Sequence, residues 1–117
     1  MNQIENLSLG DKQRLFSKMV AALLTKAHEL GYEVTLGDAY RDPRAFGAQG
    51  ESKAYGRSKS AHKNRLAIDL NLFRDGIFLT GTEDHRFLGE WWEMQGGVWG
   101  GRFNDGNHYS LKHAGVA

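Results

Sequence analysis

Two histidines and two aspartates carry the chemistry open to this chain. His62 and Asp69 lie seven residues apart, and an Asp105-Gly-Asn-His108 element follows late in the sequence. Two imidazoles and a carboxylate are three protein donors, the number that leaves tetrahedral Zn²⁺ one open corner. The anionic ligand stabilises the dication. Two neutral imidazoles leave it enough positive charge to act as a Lewis acid and to bring the pKa of a water from about 16 to about 7. Asp105, three residues before His108, is a spare carboxylate where a general base is needed. The residues therefore point to a small hydrolase using one zinc ion, held by His62, Asp69 and His108. Taken singly, each has an ordinary reading: a strand residue, a loop histidine, a turn.

These donors need elements to position them. Ser8 and Asp11 have capping-box spacing, and Leu15, Phe16, Met19, Val20, Leu23, Leu24, Ala27 and Leu30 form one apolar helical stripe closed by Gly31. His28 falls on this helix as a surface residue. Residues 32–36 have strand composition. From Gly37 to about Arg57 the chain reads as loop, with a helical turn within 44–49, and loops of that length are often functional. Residues 66–73 form the strongest strand: Leu66, Ile68, Leu70 and Leu72 face one way, and Ala67, Asp69, Asn71 and Phe73 the other. His62 then sits in the loop entering this strand. Asp75-Gly76 predicts a turn into a second arm at 77–79. Thr82 is expected to cap a helix reaching Glu93, with Phe87, Leu88, Trp91 and Trp92 inward and Gly96 or Gly97 ending it. Residues 98–107 read as glycine-rich loop, and 108–111 as a last strand. The expected fold class is α+β: one small domain, residues 1–117, with a mainly antiparallel sheet and helices packed against it.

Composition narrows the alternatives. A chain of 117 residues with 40% hydrophobic and 25% charged residues fits one globular core. A net charge of +1 gives no general argument for nucleic acid. With no cysteine, any zinc site must use histidine and carboxylate. No segment has the roughly 18 apolar residues of a membrane span, and the first residues lack the pattern of a secretory signal. Trp91, Trp92 and Trp99 read as core packing in preference to a sugar-stacking platform. His85 and His113 are left outside the site.

Ser60-Ala61-His62 followed by Ala67-Ile68-Asp69 resembles the S-x-H…A-x-D signature of the D-alanyl-D-alanine carboxypeptidase family of zinc peptidases. Asp105-Gly-Asn-His108 is similar to that family's second signature. Trp99-Gly100-Gly101 resembles the W-G-G stretch of its phage endolysins, and Tyr40-Arg41 its Y-R pair. The matches run in family order from about residue 32 to 111. The resemblance implies a hedgehog/DD-peptidase-like fold, Zn²⁺ on His62, Asp69 and His108, and Asp105 as general base. It also implies that Arg41 points into the cleft, where a guanidinium can hold an oxyanion or a substrate carboxylate. Ser60 becomes an outer-sphere or substrate-binding hydroxyl. A surface ion pair of Arg41 with Asp38 or Asp42, and a plain turn hydroxyl at Ser60, are the alternatives. The chain departs from the pattern at Arg65, where the family commonly has glycine, so Arg65 is a candidate cleft residue that reads an anionic peptide.

The resemblance further implies a substrate, the peptidoglycan stem peptide. The expected activity is that of a phage or prophage endolysin cutting L-alanyl-D-glutamate, in a single catalytic module without a separate wall-binding module. The expected protein is a monomer with no nucleic acid partner and no membrane insertion. It would be made in the host cytoplasm and released to the wall through a pore-forming partner. The alternatives are a D-Ala-D-Ala carboxypeptidase of the same family, a non-catalytic zinc module binding wall or virion, and a metal nuclease suggested by the basic segment Arg57, Lys59, Lys63 and Arg65.

Overall fold

The structure, a computed structural model, describes residues 3–53 and 57–117. Positions 54–56 of the expected loop lie outside the described residues. The domain is α+β with a five-stranded antiparallel sheet. A short 3₁₀ turn (Gln3–Asn6) precedes α1 (Leu9–Glu29). The cap of α1 is the one the sequence predicts: Ser8 Oγ accepts from the Asp11 N–H at 3.2 Å. Its apolar stripe buries Phe16, Met19, Leu23 and Ala27 against the sheet and α3 (Arg86–Met94). Lys12 is buried with them. Its Nζ donates to the Lys112 carbonyl at 3.0 Å and meets His113 Nδ1 at 3.2 Å, which docks the last residues onto α1. No helix among the described residues is long and apolar enough to cross a membrane.

The central strand β2 (Ala67–Arg74) organises the rest. Its alternation holds: Ile68, Leu70 and Leu72 are buried, while Asp69, Asn71 and Phe73 lie on the more open face. β1 (Glu33–Leu36) runs along one edge, and β3 (Ile77–Leu79) returns as the hairpin arm. β5 (His108–Ser110) pairs with the first residues of β2, and β4 (Val98–Trp99) closes the sheet against β5. A single helical turn, α2 (Pro43–Phe46), capped by Asp42, breaks the long loop.

Three expectations are corrected. Gly81, not Thr82, caps the second helical region: its N–H reaches the Asp84 carboxylate at 2.9 Å. Thr82 Oγ1 instead accepts from the Gly106 N–H at 3.3 Å. Phe87 is exposed, because a 3₁₀ turn (Thr82–His85) precedes α3 and its inward face is set by Leu88 and Trp92. Residues 98–107 are not all loop: Val98 and Trp99 find strand partners in Ser110 and Tyr109, and a 3₁₀ turn (Gly100–Phe103) follows. Trp92 and Trp99 are fully buried and their indole N–H groups are satisfied by the carbonyls of Ser110 and Gly106.

Candidate metal centre

His62, Asp69 and His108 form a largely buried cluster that can hold a metal ion, with one ligand atom from each within 4.8 Å of the others. Three local structures deliver them. Asp69 and His108 are direct cross-strand partners in the β2–β5 pair, so their side chains stand on the same sheet face. The Asp69 backbone is pinned along the other edge, its N–H donating to the Asp38 carbonyl and its carbonyl accepting from Gly37, each at 2.8 Å. His62 comes from a 3₁₀ turn (Ala61–Asn64), more ordered than the loop expected there. Ser60 caps this turn, its Oγ accepting from the His62 N–H at 3.2 Å.

Asp69 Oδ1 lies 3.3 Å from His62 Nε2 and 3.5 Å from His108 Nδ1. Ligand atoms 2.0–2.1 Å from a tetrahedral ion are separated by roughly 3.3–3.4 Å, so both gaps suit such an ion. The chemistry of the donors agrees. His62 Nδ1 is 2.8 Å from the Ala39 carbonyl, which can only accept, so Nδ1 carries the proton. In neutral His62 the Nε2 lone pair then faces an anionic oxygen, an arrangement that needs a cation between them or a second proton. On His108, Nδ1 faces the cluster while Nε2 is buried without a hydrogen-bond partner among the described residues. Burial opposes the charge on Asp69. When the two rings are protonated, hydrogen bonds from His108 and His62 with their coulombic attraction outweigh it and hold the carboxyl at about 2, so Asp69 is ionised at neutral pH.

Asp105 stands next to the cluster without joining it. Its Oδ2 is 4.0 Å from His108 Nδ1 and its side chain is half exposed. The turn that presents it is tight: Asp105 N–H donates to the Gly100 carbonyl at 2.8 Å, and a β-carbon at Gly100 would lie 2.2 Å from the Asp105 carbonyl oxygen. That requirement for glycine is a role within the W-G-G stretch that spacing alone does not show.

Arg41 lines the same cleft. Its guanidinium donates to Ser60 Oγ at 3.2 Å and to Asp38 Oδ2 at 3.4 Å, so it joins the ion pair weighed in the sequence and the cleft at once. Asp42 pairs with Arg44 instead. Ser60 is therefore both a turn hydroxyl and the link between Arg41 and the His62 turn. Arg65 lies outside the cleft lining, its guanidinium 3.8 Å over the Tyr40 ring. Its backbone is left-handed, φ 58°, a conformation that favours glycine.

Sequence reasoning missed the residues that brace the His62 turn. Gln49 donates to the Ser60 carbonyl at 2.8 Å and accepts from its N–H at 2.6 Å. Lys63 Nζ is occupied by the carbonyls of Ala48, Glu51 and Ser58. Neither contact has a local signature. No protein-family model and no curated protein matches the chain.

Proposed function

We propose that this protein is a single-zinc peptidase of bacterial peptidoglycan stem peptides, of the endolysin type that cuts L-alanyl-D-glutamate. The observation that carries the reading is the pairing of three clustered donors, both imidazoles at tetrahedral spacing from Asp69, with a second acid, Asp105, beside them but outside the ligand set. A purely structural metal site has no use for that spare carboxylate. The ordered resemblance to the D-alanyl-D-alanine carboxypeptidase family supports the substrate class.

His62, Asp69 and His108 would hold the ion, which when bound would supply Lewis acidity and lower the pKa of water toward neutrality. Asp105 takes the proton of the attacking water and returns it to the departing amine. Arg41, steadied by Ser60 and Asp38, holds the oxyanion that develops on the scissile carbonyl. The half-exposed position of Asp105 suits a group that exchanges protons with substrate. In this reading the chain is made in the host cytoplasm and reaches the wall through a pore-forming partner.

The test is digestion of purified peptidoglycan, with and without chelator, followed by mass analysis of the new termini. New alanine carboxyl and glutamate amino ends support the reading. Release of single terminal D-alanine moves it to the carboxypeptidase alternative, and digestion that survives complete metal removal ends it. Asp105→Ala is expected to keep zinc and lose turnover; near-normal lysis by that variant would remove the assigned base.

A further inference from the structure

The basic segment at residues 57–65 divides by function once it is folded. Lys63 is used up by three carbonyls, and Arg65 is stacked on Tyr40 outside the cleft. Arg57 and Lys59 instead line the cleft with Arg41. Arg41 is engaged by Asp38, whereas Arg57 and Lys59 make no ion pair among the described residues. The acidic side chains sharing the cleft are Asp69, already committed to the donor cluster, and Asp105, and Ala117 also lines it.

The placement of Arg57 is specific. Its guanidinium lies 5.1 Å over the ring of Phe103, and Phe103 meets the His108 ring edge-on at 5.9 Å. A guanidinium held over a ring and outside any ion pair among the described residues keeps N–H donors with which it can grip a carboxylate. One ring therefore separates the Arg57 guanidinium from His108, with a second cation, Lys59, on the same cleft.

We propose that Arg57 and Lys59 form a carboxylate-recognising wall, which selects peptides carrying a free acid group beside the bond offered to the His62–Asp69–His108 centre. The inference rests on the peptidase reading and names its substrate as acidic. A carboxylate fits better than a nucleic acid phosphate. The two cations sit in a cleft with a metal centre and not along an extended face, and the whole chain carries a net charge of only +1.

The experiment uses two synthetic peptides containing the L-alanyl-γ-D-glutamyl unit, one with its α-carboxylate free and one with that group as the primary amide. Cleavage is measured with the zinc-loaded protein, and equilibrium binding with the zinc-loaded Asp105→Ala protein. The acid is expected to be preferred by about 10- to 100-fold, the range for hydrogen bonds to a charged group. Arg57→Gln/Lys59→Gln should bring the acid-to-amide ratio close to one, Arg57→Lys/Lys59→Arg should restore part of it, and added salt should erode it. Cleavage of both peptides at equal efficiency overturns the wall and leaves the peptidase standing. Acid-selective binding that depends on Arg57 and Lys59, without cleavage, supports the wall and removes the peptidase. Failure to bind either peptide, or Arg57-dependent binding of duplex DNA in place of the acid, also overturns it.

Discussion

Asp69 and His108 face each other across an antiparallel strand pair, with the carboxylate oxygen 3.5 Å from Nδ1. Residues 39 positions apart in sequence thus become neighbours by register, on a backbone that hydrogen-bonds along both edges. A site built on paired strands is held more closely than one built on loops. The third donor arrives from a capped turn with its tautomer fixed by the Ala39 carbonyl.

One zinc ion per chain is the first expectation. His62→Ala, Asp69→Ala and His108→Ala should each lower zinc affinity by more than the roughly 10- to 100-fold that loss of an outer-sphere partner costs. Asp105→Ala should bind as the parent does. Competition titration with a chromophoric chelator measures all four, and a ligand variant with parental affinity would remove that residue from the set.

Gly100→Ala tests the tight turn that presents Asp105 and His108. The added carbon would lie 2.2 Å from the Asp105 carbonyl oxygen and 2.7 Å from His108 Cβ, so the turn must shift. Overpacking of this kind costs about 1–3 kcal/mol. Urea unfolding should show that loss, and zinc affinity should fall with it. Parental values for both would mean that the turn tolerates the carbon.

Ser60→Ala removes a cap from the His62 turn and an acceptor from Arg41. The expected loss is about 1 kcal/mol, typical of a cap, with reduced turnover as Arg41 loses one of its tethers and keeps Asp38. Ser60→Thr should recover most of both. Unchanged stability in the alanine variant would show that the hydroxyl is dispensable to the turn.

His85 predicts a pH dependence away from the metal centre. Burial disfavours its charged form and brings its pKa down to about 4, while Nδ1 shares a 2.8 Å hydrogen bond with the Tyr109 hydroxyl. Between pH 6.5 and about 4 the unfolded chain takes a proton there that the folded chain refuses. The contribution is therefore complete above pH 6.5 and lost as pH falls toward 4, on the order of 3 kcal/mol. His85→Gln lacks this titration, so its stability relative to the parent should rise from pH 7 to pH 4.5. A stability difference that stays constant over that range would contradict the assignment.

The sequence by itself determined the elements whose signals are local. The Ser8 cap, the α1 stripe, the alternation of β2 and the Asp75-Gly76 turn follow from side-chain period and backbone preference within a few residues, and the structure keeps them. The side chains of the possible metal cluster at 62, 69 and 108 were legible for a chemical reason: imidazole and carboxylate are the donors left to a chain without cysteine. Contacts between distant residues belonged to the tertiary structure. It paired Val98 and Trp99 with Ser110 and Tyr109, turned Phe87 outward, laid Arg65 over Tyr40 and placed Arg57 on Phe103. Strand register and side-chain stacking depend on which surfaces meet, and that is decided only when the whole core packs at once.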